Sequence, residues 1–164
     1  MSTTAVSPIA LQAGEGEALW FLGALTTIKA SGDTTDGRVA VVEVLAPRGH
    51  GSPLHVHRRE DEWFYVIDGE LAFLVGDERI DAPAGSFVYG PRDVPHTFEV
   101  SSPEARFLLV AQPAGFEAFV RAVGQPAPAL EIPPAAEPPD DITPLVTAAA
   151  EHGIEILGPP GIPS

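Results

Sequence analysis

The sequence contains no cysteine, which removes disulfides, thiolate nucleophiles and sulfur ligands together and leaves imidazole and carboxylate as the means of holding a metal. Cations are also scarce. Nine Lys and Arg stand against 23 Asp and Glu, for a formal net charge of −14. A nucleic-acid backbone or an anionic membrane surface would be repelled over most of such an exterior, so neither is expected as a partner. No run approaches the ~18 apolar residues of a membrane span. The first 20 residues carry no Lys or Arg and so lack the charged start of a secretory signal. A soluble cytoplasmic protein acting on a small molecule is the expectation.

What is present points to many short elements. The 164 residues are 45% hydrophobic, enough for one domain with a real core. Eighteen prolines and sixteen glycines argue for turns and strands over long helices, hence an all-β fold. A flexible segment over 1–17 precedes a β-rich stretch from Ala18 to Ala30 that is interrupted at Gly23. Further strands are predicted at Arg38 to Leu45, around His55 and His57, and at Glu62 to Ile67, Leu71 to Val75, Ser86 to Tyr89, Thr97 to Val100 and Arg106 to Gln112. Asp68-Gly69 reads as a tight hairpin turn. Strands at this spacing make a sandwich or barrel over 18–112.

The remaining residues, 113–164, differ in character. Phe116, Phe119, Val120 and Val123 follow a helical period and end at Gly124, which predicts a short helix from Gly115 to Val123. A Pro- and Ala-rich linker follows from Gln125 to Asp140. Asp141 is placed to cap a second helix from Ile142 to His152. The tail is expected to pack on the barrel.

Alternate residues of a strand share a face, so His55 and His57 project together, as do Glu62, Phe64 and Val66. Taken alone, a His-x-His pair is more often a solvent-facing pair than a ligand set, Glu62 sits in what reads as a charged loop, and His96 reads as a surface histidine. Their joint spacing is what marks them. With two imidazoles and a carboxylate on adjacent strands, His96 is read as arriving from the opposite side of the barrel. Such a set suits Mn, Fe, Co, Ni or Zn and leaves positions open for other ligands. Parity makes Phe64, Val66 and Phe98 candidates for a substrate pocket, with core packing an equal alternative; Trp20, Phe21, Phe87 and Tyr89 are candidates for its mouth.

The spacing Gly49, His55, His57, Glu62, Gly69 resembles the first motif of the cupin superfamily, and Gly85, Pro91, His96 the second. Asp93 stands where the second motif has a turn glycine, and Val100 where it has a final Asn. The resemblance implies a cupin jelly-roll β-barrel with short C-terminal helices, a divalent metal on His55, His57, Glu62 and His96, and a homodimer. The segments Leu19 to Thr35, Pro53 to Leu71 and Ala149 to Pro160 are similar to single-domain bacterial cupins of the quercetin dioxygenase type. That similarity implies cleavage of a flavonol-like or other enolisable substrate with dioxygen, with Glu62 as both ligand and catalytic base. Alternatives are a metal-dependent lyase, isomerase or cyclase working without dioxygen, and a non-catalytic small-molecule-binding cupin.

Overall fold

A computed structural model describes residues 6–164; residues 1–5 of the segment expected to be flexible lie outside the described residues. The strands are β1 (Glu17–Phe21), β2 (Ala24–Ala30), β3 (Ala40–Pro47), β4 (Pro53–His57), β5 (Asp61–Asp68), β6 (Glu70–Val75), β7 (Glu78–Pro83), β8 (Phe87–Gly90), β9 (His96–Val100), β10 (Glu104–Gln112), β11 (Gln125–Pro126) and β12 (Ile154–Pro160). The helices are α1 (Gly32–Thr35), α2 (Phe116–Val123) and α3 (Thr143–Glu151). None of the helices among the described residues is long and apolar enough to cross a membrane.

The strands form two antiparallel sheets, ordered β11-β1-β2-β3-β10-β5-β8 and β12-β4-β9-β6-β7. This is the jelly-roll arrangement expected for an all-β chain of this kind. Period-two patterning accounts for the interior. Ala40, Val42, Val44 and Ala46 of β3 are buried, as are Ala105, Phe107, Leu109 and Ala111 of β10 and Phe64 and Val66 of β5. Register aligns them: Leu109 lies between Val42 and Phe64, and Phe107 between Val44 and Val66. The other sheet answers with Leu71, Phe73, Phe98 and Val100. Ring centroids of Phe64 and Phe73 are 5.0 Å apart, and those of Phe98 and Phe107 5.2 Å, in the range of favourable aromatic pairs.

Three local expectations are corrected. Asp68-Gly69 is not a hairpin turn, because β5 and β6 lie in different sheets. Both hydrogen-bonding edges of β5 are already taken by β10 and β8, so the chain must leave that sheet. Gly69 has φ 82°, and a Cβ there would collide with the Glu104 carbonyl oxygen; the glycine serves a sheet-to-sheet corner. Second, the linker expected from Gln125 begins as strand β11, whose Gln125 and Pro126 pair with Trp20 and Leu19 of β1. Third, the tail contains a strand that its Pro-rich composition concealed.

That strand, β12, pairs with β4, with Ile154 opposite His57 and Ile156 opposite His55. The preceding helix α3 follows Asp141, whose Oδ1 accepts the Thr143 N–H at 2.9 Å. Phe119 of α2, Ala149 of α3 and Ile154 of β12 form a second buried cluster. Truncation after Asp141 therefore strips β4 of a hydrogen-bonded neighbour and uncovers this cluster. Burial of a large apolar side chain is worth roughly 1.5–3 kcal/mol, so the melting temperature is expected to drop by about 10 °C or more. Calorimetry of the truncated chain checks this, and an unchanged melting temperature would show that the tail is not part of the fold's stability.

Candidate metal centre

His55 and His57 lie on one face of β4, and β9 is the neighbouring strand, with His96 directly opposite His55. The three imidazoles thus come from one sheet. Glu62 arrives from β5 in the facing sheet. This reverses the geometry read from the sequence, where His96 was to come from across the barrel. Strand order decides it: β4 and β9 share a ladder, and β5 does not.

One donor atom from each of His55, His57, Glu62 and His96 lies within 4.8 Å of the others. The Nε2 atoms of His55 and His57 are 3.1 Å apart. Glu62 Oε2 is 3.1 Å from His57 Nε2 and 2.6 Å from His96 Nε2. Donors around one ion at ~2.1 Å sit roughly 3–4.3 Å from each other, so only small movements would bring these four onto a common centre. His57, Glu62 and His96 are buried to within 1%, and His55 is half-buried.

Every Nδ1 atom of the three histidines has its own partner. His55 Nδ1 donates to the Pro53 carbonyl at 2.6 Å, His96 Nδ1 to the Val94 carbonyl at 3.1 Å, and His57 Nδ1 to Glu60 Oε1 at 2.6 Å. Such bonds fix ring orientation and tautomer and turn the Nε2 lone pairs toward the common point. The donor set, its convergence and its outer partners all fit a divalent transition metal.

Charge in the metal-free cluster follows from the same contacts. Burial lowers the pKa of His55 to about 3, helped by its neighbours His96 and His57. For His57 burial pulls the same way, but the Glu62 charge and the hydrogen bonds its ring donates to Glu60 and Glu62 outweigh it and raise the pKa to about 10. Burial opposes ionisation of Glu62, yet the His57 charge and hydrogen bonds from His57 and His96 hold its carboxyl well below the usual range. His57 and Glu62 thus form a paired cation and anion, and an incoming metal takes the place of the His57 Nε2 proton.

Glu60 lies in the run before Glu62 that reads, from the sequence, as a charged loop. It is 2% exposed, with the imidazole of His57 as its partner. The sequence carries no local signal for this, because a glutamate three residues after a histidine is a common surface pattern. Glu60→Gln keeps an oxygen acceptor and removes the charge, so metal affinity is expected to fall 10- to 100-fold, the usual scale for an outer-shell partner. Chelator competition measures this; unchanged affinity would assign Glu60 to packing alone.

The cluster opens on a cavity with about 490 Å³ of atom-free space, open solvent at its mouth included. His55, His57 and Glu62 line it, walled by Phe21, Leu109, Phe116, Phe119, Leu145, Ile154 and Ile156. No Lys or Arg is among the lining residues. Phe64 and Val66 belong to the core and line neither this cavity nor the one beside it, whereas Phe98 lines the second. Of the mouth candidates, Phe21 lines both cavities. Phe87 and Tyr89 are exposed, at 61% and 40%, and Trp20 donates its indole N–H to the Glu131 carbonyl at 3.0 Å. Asp93, in place of a motif glycine, adopts φ 66°, a conformation to which Asp is unusually well suited.

A jelly-roll barrel holding three histidines and a glutamate at these motif positions defines a cupin. Residues 41–111 match the cupin domain family, and the chain belongs to the cupin superfamily. It is 30% identical over 119 residues to quercetin 2,3-dioxygenase of Bacillus subtilis (strain 168), a match covering 73% of this chain and 35% of that protein. The chain thus spans about a third of that relative's length. Among solved structures it resembles an RmlC-like cupin from Shewanella frigidimarina NCIMB 400, with TM-score 0.59 and 18% identity over 68% of this chain and 96% of that one. KdgF from Halomonas sp. is similar at TM-score 0.54 and 21% identity, covering 58% of this chain and 84% of that one. These structural likenesses show the fold.

Proposed function

We propose that this chain is a metal-dependent enzyme that cleaves a flavonol-like, enolisable aromatic substrate with dioxygen. The observation that carries this reading is the cavity's composition: a histidine–glutamate cluster at the end of an aromatic and aliphatic pocket with no Lys or Arg in its lining. A small dicarboxylate or sugar acid needs a cation to replace its hydration. A flat apolar ring system needs only apolar walls. The likeness to a quercetin 2,3-dioxygenase supports the same substrate class.

The residues divide the work. His55, His57, His96 and Glu62 would hold a Mn, Fe, Co, Ni or Zn ion, which when bound supplies Lewis acidity to an enol oxygen and an open position for dioxygen. Glu62 is the one carboxylate lining the cavity, and it would accept the proton of the substrate's enolic hydroxyl on a carboxylate oxygen. Phe21, Phe116 and Phe119 orient the ring and keep water from the reacting carbon. Glu60 holds His57 in line through Nδ1.

Reconstitution with each metal in turn, followed by oxygen consumption with 3-hydroxyflavone, tests the reading. Uptake of one dioxygen and release of one carbon monoxide per flavonol cleaved is the expected result, with none for flavone, which lacks the enolic hydroxyl. Turnover of the flavonol without oxygen uptake would point to a lyase or isomerase, and failure with every metal and enol would leave a binding module.

A further inference from the structure

A second cavity lies beside the first inside the barrel, and the two share Phe21, Leu22, Ser52, Leu109 and Phe116. Its lining is apolar except at Thr26, His50 and Ser52. Ser52 is engaged, its Oγ 3.3 Å from Thr97 Oγ1. The Thr26 hydroxyl and the His50 ring nitrogens are different: no hydrogen bond to another side chain or to the backbone accounts for them among the described residues, and none of these atoms is sealed in the core. Both residues line this cavity. A few polar side chains among apolar walls are what orients a ligand in a pocket.

His50 is also rigidly mounted. Its N–H donates to the Pro47 carbonyl at 3.1 Å, and its own carbonyl accepts the Val100 N–H at 2.8 Å. Its ring packs 5.9 Å from that of Phe98. Burial lowers its pKa to about 4, so at neutral pH it offers one donor and one acceptor and no charge. Thr26, on β2, is 2% exposed and offers a hydroxyl that both donates and accepts. A neutral pair of this kind suits a neutral hydroxyl and offers no countercharge to a carboxylate or phosphate. The surrounding Phe98, Phe107 and Phe116 suit an aromatic ring.

We infer that this second chamber is a subsite for a hydroxyl-bearing aromatic ring, held by hydrogen bonds from its phenolic group to His50 and Thr26. The remainder of the substrate reaches His55, His57 and Glu62 through the shared walls, and that part of the inference rests on the function proposed above. Ring recognition itself does not.

The test uses the full chain loaded with zinc, and phenol and toluene as probes of nearly equal size that differ in the hydroxyl. Histidine imidazole resonances are followed by NMR during titration. Phenol is expected to shift the His50 ring signals and to bind roughly tenfold more tightly than toluene, the scale of one good hydrogen bond. His50→Phe and Thr26→Val should each reduce that preference, and together remove it, with zinc content unchanged. The inference is overturned if the preference survives in both variants, or if phenol moves only the His55, His57 and His96 signals. If His50→Phe does not fold, Thr26→Val together with the wild-type His50 resonances decides the matter. A second arm compares 3-hydroxyflavone with a flavonol carrying further ring hydroxyls. Should phenol bind at His50 while neither flavonol binds, the subsite stands and the dioxygenase reading fails; should the flavonols turn over with the same preference in His50→Phe, the subsite fails and the dioxygenase reading stands.

Discussion

The double variant His55→Ala, His57→Ala is expected to bind no transition metal, and each single variant to lose most of its metal content by elemental analysis. Each substitution removes one of three imidazoles whose Nε2 atoms converge, leaving a vacancy that water fills less tightly. The two single variants should nevertheless differ in stability. His55 is half-buried and its loss mainly widens the cavity. His57 is buried between Glu60 Oε1 at 2.6 Å and Glu62 Oε2 at 3.1 Å, and its removal leaves two carboxylates facing each other out of water. Breaking a buried pair in this way costs about 3–5 kcal/mol. His57→Ala should therefore melt well below His55→Ala in the metal-free state. Full metal retention in all three variants would dismiss these residues as ligands.

Glu62→Gln separates ligand from base. Glutamine preserves size and one oxygen donor but carries no charge and takes up no proton at neutral pH. Because Glu62 Oε2 also accepts from His96 Nε2 at 2.6 Å, a carbonyl oxygen in its place still orients that ring. Metal occupancy is expected to fall modestly while turnover of an enolisable substrate falls by roughly 10²-fold or more, the scale for losing a general base. Substrates that arrive already ionised should show a smaller defect, since for them the proton transfer is already complete. A proportional fall in occupancy and turnover, indifferent to substrate acidity, would make Glu62 a ligand alone.

Much of this centre was legible in the chain. Parity along β4 and β5 places His55 with His57 and Glu62 with Phe64, because side chains alternate with a period of two in any extended strand. Phe116, Phe119 and Val120 mark α2 in the same direct way. The corners were less legible. Asp68-Gly69 signals a positive φ but not the direction the chain takes afterward, and the ladder partners of β5, more than 20 residues away in sequence, are what force it into the other sheet.

The sequence by itself determined the chemistry available: no thiol, a strongly acidic exterior, three imidazoles and a carboxylate at cupin spacing, and strands whose inward faces are apolar. These are properties of residue type and local period, which a chain carries wherever it folds. Tertiary structure alone decided that the histidines share one sheet and Glu62 faces them from the other, that Glu60 is buried on His57, and that β12 closes on the ligand-bearing strand. It also decided the pocket, whose walls come from Phe21, Leu109, Phe116, Leu145 and Ile154, residues spread over most of the chain. Burial and partnership are properties of packing between distant segments, and no local pattern encodes which distant segment arrives.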